Sequence, residues 1–458
     1  MRLSHATLDR IPPGIPRFAY NRNAQAIGIV HFGIGAFHRA HQAWYTDLAM
    51  DAGARGWAIC GISLRSAGVK AQLAPQDGLY SLAMHGSEGN ETRVIGAVRE
   101  VLFAGEDTAL IAERIASGEC HIVSFTVTEK GYCRAADGSL DLALAEAGFY
   151  PLLAQGLTRR MKAGLPGVTL LSCDNLSGNG DVLARLVAEY IAAGAPETLD
   201  WFAAECTCPN SMIDRIVPAS TEADLAGAEA ALGLRDEGAV VTETFSQWVI
   251  EDRFSGPRPP WEDHGAEIVA DVAPYETAKL RMLNGAHSTL AYCGLDRGHE
   301  FVHQAIAAPE LRALAETLMR DEAATSFAPA PGQDLSAYAD ALIARFENPA
   351  LNHRLAQIAM DGSQKVPQRW LETLAFHQAQ GQSCPALLTA LASWLRHIRG
   401  DARPVDDPKA DELAALWQSA GQSGIARALF GEGGMFAAHW HASDAELQEL
   451  NEKLGERM

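Results

Sequence analysis

The feature that most constrains this chain is a buried apolar run that stops on glycine and restarts as a helix. Ala26-Ile-Gly-Ile-Val-His-Phe32 carries no charged residue and reads as a buried strand. Gly33-Ile-Gly35-Ala-Phe-His-Arg-Ala-His41 follows, and a helical pattern then runs through Met50. Strand, glycine turn and helix form the setting in which a dinucleotide pyrophosphate rests on helix N-terminal amides. Gly33 would permit the tight turn and Gly35 the close approach of a phosphate, and Phe37, His38 and Arg39 at the start of the helix are further candidates to bind the cofactor. The third glycine of the usual fingerprint is absent, and His38 stands in its place. Two glycines alone also fit a plain structural turn. The second strand, Trp57-Ala-Ile-Cys-Gly-Ile62, lies at the distance a nucleotide fold requires.

That second strand should end on the residue that reads the adenosine ribose. An acid there suits a 2′-hydroxyl and an arginine a 2′-phosphate. The chain offers Ser63-Leu-Arg65-Ser66, so the pair Ser63 and Arg65 leaves NAD and NADP both open. Further strands are expected at 79–84, 93–98, 121–127 and 168–172, with helical patterns at 109–115 and 183–193. Alternation of this kind implies a mostly parallel sheet covered by helices. The loop Thr126-Val-Thr-Glu-Lys-Gly131 follows a strand end and puts Thr128 and Glu129 where open parallel sheets bind ligands. Asn175, in Cys173-Asp-Asn-Leu-Ser-Gly-Asn-Gly180, also lies at a strand end. It suits a turn, because Asn tolerates left-handed backbone, or an amide that polarises a substrate carbonyl. The breaker Gly256-Pro-Arg-Pro-Pro260 and a strand expected near 266–272 place a domain boundary near 273. Beyond it the segments 277–292, 310–319, 335–346, 354–360, 385–398, 409–418 and 444–454 all carry helical patterns. The expected fold is α/β: a Rossmann-type doubly wound domain over 1–273, then a mostly α-helical domain over 274–458.

Charge narrows the partners. Lysine and arginine number 37 against 57 acids, a net charge of −20, which disfavours nucleic acid and anionic membrane as partners. A small anionic substrate needs only a local basic pocket. No apolar run approaches the ~18 residues of a membrane span, and the N-terminus lacks the apolar core of a secretory signal. The eight cysteines are scattered, with no spacing that completes a zinc site, so no metal is expected. Free buried thiols imply a reducing compartment, the cytoplasm.

The stretch Tyr275-Glu-Thr-Ala-Lys-Leu-Arg-Met-Leu-Asn-Gly-Ala-His-Ser-Thr-Leu290 follows Pro274, which suits a helix start. At about 100° per residue, Glu276, Lys279, Asn284 and His287 fall within an arc of roughly 140°. Spacing alone fits either a solvated polar side or an active site. An alcohol losing hydride must also lose its hydroxyl proton, so such a site needs a base on that oxygen. A lysine ordinarily titrates near 10.4, and partial burial would be needed to bring it down to that task.

Seven motifs together resemble one family: Gly33-x-Gly35-x-Phe-His-Arg-Ala-His, Thr-Val-Thr-Glu-Lys-Gly-Tyr132, Ser-Cys-Asp-Asn175, Asp214-Arg-Ile-Val-Pro218, Gln-Trp-Val-Ile-Glu-Asp252, Lys279-Leu-Arg-Met-Leu-Asn284-Gly-Ala-His287 and Asp361-Gly-Ser-Gln-Lys365. They are similar, in order from about residue 27 to 400, to the mannitol dehydrogenase family of polyol-specific long-chain dehydrogenases. The resemblance implies a nicotinamide-dependent, zinc-free oxidoreductase that uses NAD. It implies Lys279 as the general base, Asn175 and Asn284 as holders of the reacting oxygen, His287 as a substrate-orienting group and Glu276 as an aid to proton movement. Asp214 and Lys365 are implied to line the substrate pocket. Relatives are often monomeric, so a monomer or weak homo-oligomer is expected. Gln357 and Met360 stand where polyol enzymes of the family tend to have a basic residue and a histidine. The wording therefore resembles the sugar-acid reductases, which implies reduction of D-fructuronate to D-mannonate with Lys365 or Arg369 on the distal carboxylate. Oxidation of mannitol, or a related polyol, to fructose is the alternative.

Overall fold

Five strands pair only in parallel around the glycine turn. In the computed structural model, which describes residues 1–86 and 89–456, they lie in the order Val98–Phe103, Ala58–Ser63, Ile27–Phe32, Ile122–Phe125, Thr169–Ser172. Numbered along the chain this is 3-2-1-4-5, the doubly wound order, and its topological switch falls between Ile27–Phe32 and Ile122–Phe125. Both faces of the sheet are covered. Ile29, Ile59 and Leu171 enter one apolar core, while Val30, Cys60 and Leu170 enter the other. That explains why these strands read as continuous apolar runs rather than alternating ones.

Two smaller sheets differ from the expected single layer. Tyr80–Gly86 pairs antiparallel with Gly89–Ile95 and parallel with Val240–Glu243. Gln247–Glu251 pairs antiparallel with Ser211–Asp214 and parallel with Glu267–Val269. The strand expected over 93–98 is instead the end of one strand and the start of another, Val98–Phe103. Side chains cause the break. The Gly96 amide donates to Asp47 Oδ1 (2.8 Å), its carbonyl accepts from Arg22 Nε (2.7 Å), and the Phe18 ring fills the space a Cβ would take. The helix behind the glycines also breaks, at His41, into Ala36–Ala40 and Gln42–Asp51.

The chain divides into two compact units, residues 1–272 and the part beginning at Ala273. Among the described residues of the second unit, the long segments are helical. Leu335–Phe346 and Pro385–Ile398 form where the periodicity places them, whereas 409–418 is part of a longer element, Ala410–Phe430, that kinks at Gly421. Among the described residues, three π-helical turns interrupt this unit: Lys279–Leu283, Leu318–Ala323 and Pro367–Leu371. The first packs against both of the others. No helix among the described residues is long and apolar enough to cross a membrane.

Candidate active site

In the first unit the two glycines serve different ends. Gly33 has φ +97°, and a Cβ there would lie 2.1 Å from the Thr126 carbonyl oxygen, so the fold itself demands glycine. Gly35 is extended, and a Cβ on it would meet nothing nearer than the Gly33 carbonyl oxygen at 3.8 Å. The space beside Gly35 is left open by the protein, as a cradle for a phosphate requires. The turn is tied to its neighbours by Gly33 N to Ile62 O (2.8 Å), Gly35 N to Gly33 O (2.6 Å) and Thr126 Oγ1 to Gly33 O (2.7 Å).

The His38 and Arg39 side chains are both buried. The His38 ring is fully buried and stacks on His31, ring centroids 3.4 Å apart. Arg39 is buried too, donating to the Gly238 and Gly35 carbonyls with its guanidinium over the Tyr80 ring. Both brace the loop from inside. Phe37 is half-buried against His41, 5.2 Å between ring centroids. At the ribose-reading position the Ser63 hydroxyl donates to Ser66 O (2.6 Å), while Arg65 is exposed.

Thr128 holds a rare backbone conformation for a residue with a Cβ, φ +65° and ψ 164°. Such strain persists only where neighbours over-determine it. Here Asp174 does so, accepting from Val127 N (3.0 Å), Thr128 N (2.8 Å) and the Tyr132 hydroxyl (3.0 Å). Burial pushes the Asp174 carboxyl up from its ordinary value, against the pull of those donors. Asp174 has no signal of its own in the sequence, although the motif Ser-Cys-Asp-Asn175 contains it. Asn175 itself is exposed, past the end of Thr169–Ser172 and ahead of the helix Asn179–Gly194. Glu129 is exposed and paired with Arg134 (2.9 Å). Asp214 is buried at the end of Ser211–Asp214, level with Gln247 on the neighbouring strand.

In the second unit, the expected helix 277–292 is three elements: Ala273–Ala278, the π turn Lys279–Leu283, and Asn284–Asp296. The difference matters for the site. On an α-helix Lys279 and Asn284 would point about 140° apart. The π turn instead closes with Asn284 N donating to Lys279 O, so the two residues stand one turn apart on one side. His287 follows Asn284 by three residues, on the same face. Glu276 precedes Lys279 by three and, like it, is half-buried. The His287 ring is buried, 4.7 Å from the Phe346 ring centroid and 5.2 Å from that of His353. Burial first, then the charges of His353, Arg345 and Arg369, hold its pKa well below the ordinary value, so it is a neutral imidazole.

The π turn Pro367–Leu371 packs its donors on the start of the helix Asn284–Asp296. Arg369 Nη1 donates to Asn284 O (3.3 Å) and Ser288 Oγ (2.7 Å), and Trp370 Nε1 to Gly285 O (3.1 Å). Arg369 is therefore not a surface arginine; burial lowers its pKa to about 10. Among the described residues it forms no ion pair. Lys365, four residues earlier, donates to Met360 O (2.5 Å) and Ile358 O (3.3 Å), and burial lowers its pKa with Arg369 adding to the effect. Asp361, which opens this segment, is left-handed at φ +56°, and Asp407 holds Ser363 through its amide and hydroxyl. Ser288, His353, Phe346 and Trp370 had no signal in spacing; only the fold assembles them around Asn284 and His287.

A switch-point glycine turn on a 3-2-1-4-5 sheet, with a lysine–asparagine–histidine face on the helical unit, defines a Rossmann-type oxidoreductase. Comparison with known proteins makes the class specific. Residues 27–263 match the mannitol dehydrogenase Rossmann domain, and residues 271–454 the mannitol dehydrogenase C-terminal domain. The chain belongs to the mannitol dehydrogenase family. It is 42% identical to the uncharacterized oxidoreductase YeiQ of Escherichia coli K12, over 87% of this chain and 85% of that one. It is 40% identical to the D-mannonate oxidoreductase of the same organism, over 94% of this chain and 92% of that one. The Pseudomonas fluorescens mannitol 2-dehydrogenase, solved as a ternary complex with NAD and D-mannitol, superposes with a TM-score of 0.80 at 34% identity, covering 99% of this chain and 96% of the other.

Proposed function

We propose that the protein is an NAD-linked oxidoreductase that interconverts D-fructuronate and D-mannonate. The observation that carries the sugar-acid reading is the Arg369 guanidinium. It is held at Asn284 O and Ser288 Oγ and forms no ion pair among the described residues. A half-buried cation without a counter-ion is costly, and a substrate carboxylate would supply the missing charge through a charge-assisted contact. Lys365 adds a second positive charge four residues away. The likeness to D-mannonate oxidoreductase over nearly the whole chain supports the same reading.

The side chains would divide the chemistry as follows. Lys279 takes the proton of the substrate hydroxyl in the oxidative direction and returns it in the reductive one. Asn284, on the same face as Lys279, donates an amide hydrogen to the oxygen as charge develops on it. His287, being neutral, orients a substrate hydroxyl without adding charge. Glu276, one turn before Lys279, accepts or supplies the proton that passes through the lysine. Lys365 contacts the substrate's polyhydroxyl chain. When bound, NAD supplies the hydride acceptor, and the open side of Gly35 fits its pyrophosphate. The family likeness to an NAD complex supports NAD over NADP, although no acid stands at Ser63 or Arg65.

The test is a direct comparison of D-fructuronate and fructose as substrates with NADH and with NADPH. Higher kcat/KM for the sugar acid with NADH is expected. A tenfold or greater preference for fructose would replace this reading with mannitol 2-dehydrogenase, the activity of the structurally similar protein.

A further inference from the structure

A buried polar chain runs beneath the nucleotide turn. His31, in the middle of the apolar strand Ile27–Phe32 and fully buried, places Nδ1 at 2.8 Å from Ser124 Oγ and Nε2 at 2.9 Å from Thr126 Oγ1. Ser124 Oγ lies 2.6 Å from the amide oxygen position of Gln42, and Thr126 Oγ1 lies 2.7 Å from Gly33 O. The Gln42 Nε2 position is buried without a partner. Above the ring, His38 stacks at 3.4 Å and seals it from solvent.

Each hydroxyl has one proton to give, and a neutral imidazole has one N–H and one lone pair. Burial pushes the His31 pKa down to about 3, so the ring is neutral near pH 7 and the protons can be ordered in two ways. If Nδ1 carries the hydrogen, Thr126 must donate to Nε2, which takes its proton away from Gly33 O and leaves the Gln42 amide nitrogen idle. If Nε2 carries the hydrogen, every donor in the row is used. The Gln42 amide, turned by 180°, donates to Ser124, Ser124 to Nδ1, Nε2–H to Thr126, and Thr126 to Gly33 O. An orphaned carbonyl is cheaper than an orphaned N–H, so the second ordering is favoured.

We propose that His31 is a positioning residue for the nucleotide turn: as the Nε2–H tautomer it fixes the Thr126 hydroxyl on Gly33 O, and so sets the backbone on which Gly35 meets the cofactor. The proposal rests on the NAD reading above. Gly33 O also accepts from Gly35 N at 2.6 Å, so the two contacts clasp the turn at one atom. The row ends on Gly33 O, at the turn itself, which places its effect on cofactor affinity and not on turnover.

The test titrates NADH into the full-length protein by tryptophan-fluorescence quenching and measures turnover at saturating cofactor. His31→Leu and Thr126→Val are each expected to weaken NADH binding about tenfold, the scale of one hydrogen bond. Turnover at saturation should stay within about twofold. His31→Gln keeps an amide N–H and should recover part of the loss. The double variant His31→Leu/Thr126→Val should bind no more weakly than the worse single one, because both break the same chain. Thr126→Val and His31→Gln preserve side-chain size and carry the test if His31→Leu does not fold. A Thr126→Val dissociation constant within about twofold of wild type overturns the proposal, as do fully additive losses in the double variant. Wild-type protein that takes up NADPH alone overturns the NAD reading instead, and the same variants are then read with NADPH.

Discussion

The two units place their functional groups by contrasting means. The first uses regular geometry, with five parallel strands ending at one edge and a glycine turn and a strained threonine held there by a buried carboxylate. The second uses an irregularity. Its lysine and asparagine share a face because one helical turn is wound too wide. A nucleotide site needs backbone amides and empty space, which strand ends supply by default. A proton-transfer site needs several side chains converging on one atom, and a regular 3.6-residue helix does not bring residues five apart onto one stripe. π turns recur at functional sites for that reason.

The contrast can be broken experimentally, and the largest effect is expected at Lys279. Lys279→Ala should lower turnover by about 10²–10⁴-fold while leaving the NADH dissociation constant within about twofold; comparable losses in both would deny the two units their separate tasks. Deleting Leu280 asks whether the wide turn matters. Restoring α geometry should swing Asn284 away from Lys279 and cost about 10²–10³ in turnover, with helix content by circular dichroism unchanged. Near-normal activity would make the π turn a packing accident. Arg369→Gln should raise KM for the sugar acid by about tenfold to a hundredfold, the scale of one hydrogen bond to a charged group, with kcat less affected. An unchanged KM would move carboxylate recognition elsewhere.

Smaller effects separate fold from site within the first unit. Gly33→Ala should cost about 1–3 kcal/mol of stability through its positive φ, whereas Gly35→Ala should leave Tm in place and raise KM for NADH. The smallest effect concerns pH. Glu322, in the π turn Leu318–Ala323, caps the helix Pro385–Ile398 by accepting from Ala386 N and Leu387 N, both at 2.8 Å, yet burial raises its pKa from 4.5 to about 7. The folded state then holds a proton that the unfolded state releases, so this group's contribution falls as pH rises from about 4.5 to 7 and is level above that. Denaturant titrations across that window should show a shallower downward slope in Glu322→Gln; an identical slope would mean that Glu322 is ionised throughout.

Much of the architecture could be read in advance, for reasons that differ by element. Strands buried on both faces announce themselves as uninterrupted apolar runs, so Ile27–Phe32, Ala58–Ser63 and Thr169–Ser172 were legible to within a residue or two. Leu335–Phe346 and Pro385–Ile398 were legible because apolar periodicity and, in the second, an N-terminal proline agree. The break at Gly96 was hidden, since Asp47, Arg22 and Phe18, which enforce it, lie far away in sequence. Among the site residues, Gly33, Gly35, Lys279, Asn284 and His287 stood out by type and spacing. His31, Thr126 and Asp174 did not, because a polar residue inside or beside an apolar strand has no local reason to be there.

By itself the sequence determined which segments are buried, where glycine is unavoidable, and the order of chemistry-bearing residues along the helical stretch that opens at Ala273. It did not determine how that helix is wound. Lys279, Leu280, Arg281, Met282 and Leu283 are all good α-helix formers, so local propensity predicts a regular turn. The tertiary structure overrides it. Arg281 is anchored to Ser326 (2.9 Å) and Glu372 (3.0 Å), while Arg369 and Trp370 accept the task of satisfying the carbonyls of Asn284 and Gly285. Those tertiary contacts fix the residues on either side of the wide turn, and the Asn284 N to Lys279 O bond closes it, so that Lys279 and Asn284 come to share one face.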